Sequence, residues 1–146
     1  MMSPNAARME QVIRAYVQAC NDTDADAIAA CFTDDAVFYF PWRARWAGAA
    51  VIGANFAKVV REQGVSWTFD QLLTDVDRHA AALEWTRFNA HTDQVVRGVE
   101  WFDFDPQTFA IREVRPYIAA PVNPDAARQE LQDFDYAGRG YPTSRS

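Results

Sequence analysis

Cations are sparse in this chain. Lys58 is its one lysine and the arginines are scattered, while the formal net charge is −6. Neutralising phosphates needs clustered Lys and Arg, so no nucleic-acid partner is expected, and the acidic balance serves solubility. Cysteine is equally scarce. Cys20 and Cys31 fall in two predicted helices without zinc or redox spacing and read as small core hydrophobes. The two histidines, His79 and His91, stand apart without an acidic spacing, so no metal site is expected. The glycines from Gly48 to Gly53 are not followed by Lys-Ser/Thr, and no Gly-x-Ser-x-Gly elbow occurs. No cofactor is therefore expected. No apolar run approaches the roughly 18 residues of a membrane-spanning helix, and the N-terminus shows no signal-peptide core. These absences predict no membrane partner and a cytoplasmic location.

Aromatic and apolar residues are what the chain has in quantity. Of its 146 residues, 49% are hydrophobic and 14% aromatic, enough for one domain with a proper core and for large side chains lining a pocket. Ser3-Pro4 reads as a helix start. Met9, Val12, Ile13, Tyr16, Val17 and Cys20 then recur at helical spacing. Asn21 to Asp24 ends that helix and caps a second with the apolar face Ile28, Cys31 and Phe32. Thr33-Asp34-Asp35 reads as a turn, Ala36 to Phe40 as a short strand stopped by Pro41, and 49–63 as a third helix ended by Gly64. The period then changes to two, predicting a meander of strands near 65–76, 79–91, 94–105 and 110–118. Asn123-Pro124-Asp125 reads as the opening of a short helix in the tail. Helices followed by a meander define α+β, with three N-terminal helices packed on a curved, mostly antiparallel sheet.

The order of elements and several phrases resemble the nuclear transport factor 2-like superfamily, in its polyketide-cyclase (SnoaL-like) branch. The matching residues are Tyr16, Phe32-Thr33-Asp34-Asp35-Ala36-Val37-Phe38, Gly48, Arg97-Gly98-Val99-Glu100-Trp101-Phe102 and Ile111 through Tyr117. The resemblance implies a single domain over 1–146, with its core at about 8–118 and a tail at 119–146. It also implies a cone-shaped α+β barrel enclosing an apolar cavity, and a homodimer through the outer sheet face. Residue by residue, the superfamily's known sites arrive incompletely. Tyr16 matches the tyrosine of the ketosteroid isomerase pattern and Glu100 its protonated carboxyl, but Phe40 stands where the base would be. The limonene epoxide hydrolase pattern needs an Asp where this chain has Pro116, and the dehydratase pattern needs a cavity-lining His.

Glu100 lies among aromatic and β-branched residues, so it is either paired or seated in a cavity with a raised pKa. A hairpin turn centred near Thr92 places Glu84 opposite Glu100, with Thr86, Phe88, Phe102 and Phe104 on the same face. Two facing carboxylates would share a proton, one serving as acid and the other as base. A register shifted by one separates them. It leaves Glu100 beside Trp85 and Arg87, as a salt bridge on the outer face, and solvent exposure is a third possibility. By the resemblance, the Tyr16 hydroxyl would polarise a developing oxyanion, against a core role for its ring. Asn21 and Asp22 read as helix capping, or as a ligand contact and a base at the cavity's inner end. Phe40, Trp42, Trp46 and Phe56 read as the cavity mouth or as ordinary core, and Phe88 and Phe102 as further contacts for substrate. Arg87, Arg97, Glu113 and Arg115, with Trp85 and Trp101, are expected on the outer face. The expected function is a cofactor-independent lyase (dehydratase type) or isomerase, moving protons on a small, largely apolar, aromatic or polycyclic molecule. The alternative is a non-catalytic binding module or dimeric scaffold of the same fold.

Overall fold

The computed structural model describes residues 1–40, 43–120, 125–130 and 133–145. The first helix, α1 (Pro4–Asn21), starts where the Ser3 hydroxyl accepts the Ala6 N–H at 3.1 Å with Pro4 in the first turn. Met9, Ile13, Tyr16 and Cys20 form its buried face. Asp24 caps α2 (Ala25–Ala29) by accepting the Ala27 N–H at 3.0 Å. This helix is shorter than its apolar pattern suggests. Cys31 lies in the turn after it and Phe32 already belongs to a strand. The third helix, α3 (Ala49–Gln63), ends on Gly64 at φ 62°, a left-handed position that only glycine adopts freely.

Among the described residues seven strands follow or interleave: β1 (Phe32–Phe38), β2 (Trp46–Ala47), β3 (Val65–Asp75), β4 (Ala80–Asn89), β5 (Val95–Phe104), β6 (Ile111–Ile118) and β7 (Arg128–Gln129). They form a curved, unclosed sheet in the order β2-β1-β6-β5-β4-β3, with β7 beside β5. The meander β3 to β6 is antiparallel, whereas β1 runs parallel to β6. The strand β1 begins earlier than expected because the Ile111 N–H reaches the Cys31 carbonyl at 2.8 Å and draws the chain into the sheet. Thr33–Asp35, expected as a turn, instead lie within β1, where the register breaks between Phe32 and Val37. In the tail, Asn123 and Pro124 lie outside the described residues. Beyond them, Arg128–Gln129 pair in parallel with Val95–Val96 rather than continuing a helix. They extend the sheet past Ile118, where β6 has ended.

The core lies between α1, α3 and one face of the sheet, around Phe38, Ile52, Leu83, Phe102 and Ile111. Among the described residues, no helix is long and apolar enough to cross a membrane.

Candidate functional site

The site depends on one register. Leu83 pairs with Glu100 and Glu84 with Val99, one residue away from the register expected of a turn centred on Thr92. The Asn89 N–H closes the hairpin on the Gln94 carbonyl, leaving the even-membered turn Ala90–Asp93. The Asn89 and Thr92 side chains brace it by accepting the N–H groups of His91 and Gln94. Every β4 side chain therefore changes face relative to β5. Glu84 and Glu100 do not meet: Glu100 faces the helices with Leu83, Trp85, Gly98 and Phe102, while Glu84 faces away with Thr86 and Phe88. Trp85 and Arg87, expected outside, are inside. The pair Trp85–Gly98 also holds the register in place, since a Cβ at Gly98 would lie 2.5 Å from the indole Cζ2.

Glu100 looks into a cavity of about 220 Å³ that runs from the sheet to α3 and the segment after β1. Phe38, Phe40, Trp46, Phe56, Trp67, Trp85, Val59, Pro116 and Ile118 supply its apolar wall, and Arg43, Gln63, Arg87 and Glu100 its polar groups. The aromatic wall is tightly built, with ring centroids 4.5 Å apart for Phe40 and Trp46 and 5.0 Å for Trp46 and Phe56. Behind Glu100 the space narrows to a recess of about 10 Å³ lined by Tyr16, Val17, Cys20 and Leu83, along with residues of the main cavity.

Burial dominates the electrostatics. Glu100 is 8% exposed. Desolvation raises its carboxyl from an ordinary 4.5 to about 8, with hydrogen bonding to Tyr16 acting in the opposite direction. The Tyr16 hydroxyl is itself pushed well up, first by burial and then by the nearby Glu100. Burial also raises the Cys20 thiol. Arg87 is pulled below its usual range by desolvation. The Trp85 indole is 4% exposed, and its Nε1–H has no hydrogen-bond partner among the described residues.

The remaining expected site residues divide clearly. Phe40 and Phe56 line the cavity, and Trp42 lies outside the described residues. Tyr16 stands behind Glu100, edge-on to Phe32, Phe56 and Phe102, so it meets the carboxyl rather than the open cavity. Phe102 is wholly buried beneath it, as core. Phe88 is buried on the outer face beside the hairpin turn and the C-terminal residues. Asn21 spends both ends of its amide on the Trp67 backbone, donating at 2.8 Å and accepting at 2.9 Å, and so pins β3 to the end of α1. Asp22 is exposed and closes the helix, taking a hydrogen bond from the Gln18 amide at 2.9 Å. Trp67, Trp85, Arg87, Arg43 and Gln63 are among the lining residues that sequence reasoning missed. A signal for two of them was present: a glycine inside a strand calls for a bulky neighbour, and matching Gly98 to Trp85 would have set the register.

On the outer face, Arg97 donates to the Thr86 hydroxyl at 2.5 Å and to Glu130 at 3.2 Å, beneath the Tyr136 ring. Thr86 donates to Asp70, the extra residue of a bulge in β3, at 2.6 Å. Tyr141 donates to Glu84 at 2.7 Å. The tail thus covers part of its own sheet, while Trp101 and Tyr117 remain 37% and 64% exposed beyond it.

A curved sheet with helices on one face and a cavity between them is the cystatin-like, or NTF2-like, architecture. Within it, residues 13–110 match the SnoaL-like domain, and the chain belongs to that family. A protein of unknown function with a cystatin-like fold from Methylobium petroleophilum PM1 is 42% identical over 95% of this chain and 93% of its own, with a TM-score of 0.76. The Mycobacterium tuberculosis LEH-like epoxide hydrolase is similar in fold at 18% identity, with 77% and 83% covered and a TM-score of 0.66. A proposed ketosteroid isomerase from Kribbella flavida is similar in fold at 18% identity, with 82% and 84% covered and a TM-score of 0.65. No curated protein matches the sequence.

Proposed function

We propose that this protein is a cofactor-independent isomerase or dehydratase-type lyase acting on a small, largely apolar, aromatic substrate, with Glu100 as its proton-transfer group. The observation that carries this reading is a single buried carboxyl, titrating near 8, at the inner wall of an aromatic cavity. At pH 7 roughly one molecule in ten holds it ionised, so acid and base forms are both within reach of the operating pH. The ionised carboxylate removes a proton from the carbon next to a carbonyl. The resulting acid returns that proton at the conjugated carbon, or delivers it to a departing hydroxyl as water. The unpartnered Trp85 N–H donates to the oxygen on which charge develops. Tyr16 holds the carboxyl in place from behind. One carboxyl does both halves of the work here, in place of the pair expected from sequence.

The test is proton NMR in D2O with a panel of aryl enones and β-hydroxy aryl ketones, following deuterium uptake, isomerisation or loss of water. Glu100→Gln is expected to reduce turnover by roughly 10²–10⁴-fold while circular dichroism stays unchanged. Full activity in that variant would sink the assignment.

A second reading is a binding module with the same cavity and no chemistry. It is favoured by Phe40 and Pro116, which occupy positions where related patterns carry a base. It predicts that ligands are recovered unaltered and that Glu100→Gln changes affinity only modestly.

A further inference from the structure

The proposed chemistry uses Glu100 and Trp85 and leaves one group of the cavity unexplained. Arg87 lines the wall, half-buried and partly desolvated, yet among the described residues it has no ion pair or hydrogen bond. Its cross-strand neighbours are Trp67 and Val96, neither of which carries charge. From α3 the cavity receives Phe56, Val59 and Gln63, and from β6 Pro116 and Ile118, none of which carries charge. Among the described residues Glu100 is the one carboxyl lining the space, and burial keeps it largely neutral near pH 7. Arg43, stacked near the Phe40 and Trp46 rings, adds a second cation. The cavity is therefore positive within a chain whose formal net charge is −6. Removing a guanidinium from water without a counter-ion is unfavourable, and an anion brought by a ligand would offset that.

We infer that the cavity takes an aryl or similarly flat apolar carboxylate, its anionic end held by Arg87 and its ring among Phe56, Trp67 and Trp85. A planar carboxylate suits the guanidinium fork, which offers two parallel N–H donors. Any neutral acceptor oxygen on the same molecule then faces the Trp85 N–H and the protonated Glu100. The volume of about 220 Å³ is below the roughly 300 Å³ at which drug-sized sites begin, so a single ring or a small bicyclic body is the right scale. This assignment rests on the same cavity as the proposed reaction but not on any turnover.

Isothermal titration calorimetry with two matched pairs of probes tests it: cinnamate against cinnamamide, and 1-naphthoate against 1-naphthamide. Wild-type protein is expected to bind each carboxylate at least about tenfold more tightly than its amide. Arg87→Gln should abolish that preference by weakening the carboxylate alone, and Arg87→Lys, which keeps charge but loses the fork, should restore part of it. Glu84→Gln, on the outer face, should leave the preference intact, and because calorimetry with these probes reads no turnover, its outcome is separate from that of the catalytic reading. Equal affinities in the wild type, a preference that survives in Arg87→Gln, or no binding of any probe at millimolar concentration would each overturn the proposal. Circular dichroism of each variant shows that it is folded.

Discussion

The two faces of the same sheet treat polar side chains in opposite ways. On the outer face Thr68, Asp70, Thr86, Arg97 and Glu130 bond to one another and Tyr141 bonds to Glu84, and among these described side chains only Arg97 Nη2 is left without a partner. On the inner face Arg87 and the Trp85 N–H have none among the described residues, and Glu100 has Tyr16. Burying polar groups unpaired lowers stability, so a fold that does so beside a cavity holds them ready for a ligand. The outer network is structural by the same logic: its groups satisfy each other and dock the tail.

That contrast can be broken from either side. The largest expected effect is on the inner face and depends on pH. Glu100 has a folded pKa raised from 4.5 to about 8. Below about 4.5 it is protonated in both states and adds no penalty. As pH climbs from there to 8 the unfolded chain ionises freely while the folded chain resists, so stability falls. The full loss is about 5 kcal/mol. Urea melts between pH 4 and 9 should show this decline in the wild type and a much flatter profile in Glu100→Gln; parallel profiles would mean that the carboxyl is not desolvated.

Breaking the outer network comes next. Arg97→Ala strips the donor from buried Thr86 and the cation from Glu130 and Asp70 nearby. A loss of roughly 3 kcal/mol is expected by urea denaturation. A loss under about 1 kcal/mol would show that the tail and its network are not coupled to the fold. The smallest effect belongs to Glu84, the carboxylate expected to work with Glu100. Glu84→Gln keeps an acceptor for the Tyr141 hydroxyl, so the change should stay within about 1 kcal/mol. Turnover of any substrate found for the wild type should also persist. A collapse of activity in Glu84→Gln would return it to the site and undo the distinction between the faces.

Much of this molecule is readable in one dimension, because its signals are local. Ser3-Pro4, Asp24 and Gly64 mark helix ends through backbone hydrogen bonds within a few residues of each. The alternation Glu100, Phe102, Phe104 places all three on one face without reference to any other strand. The assignment of Asn21 and Asp22 was harder. Both look like cap residues, and only the arrival of β3 at the end of α1 turned Asn21 into a clamp on Trp67.

The sequence alone determined that Glu100 would share a face with Phe102 and Phe104, since side-chain alternation along a strand is a property of the chain itself, whereas the turning of that face inward was left to the packing. Which neighbours it met was decided by tertiary structure. An even-membered turn at Ala90–Asp93, and the indole of Trp85 lying across Gly98, moved the register by one residue. That step exchanged Glu84 for Trp85 and Arg87 in the cavity, because a side-chain period of two converts the smallest possible slip into a change of face.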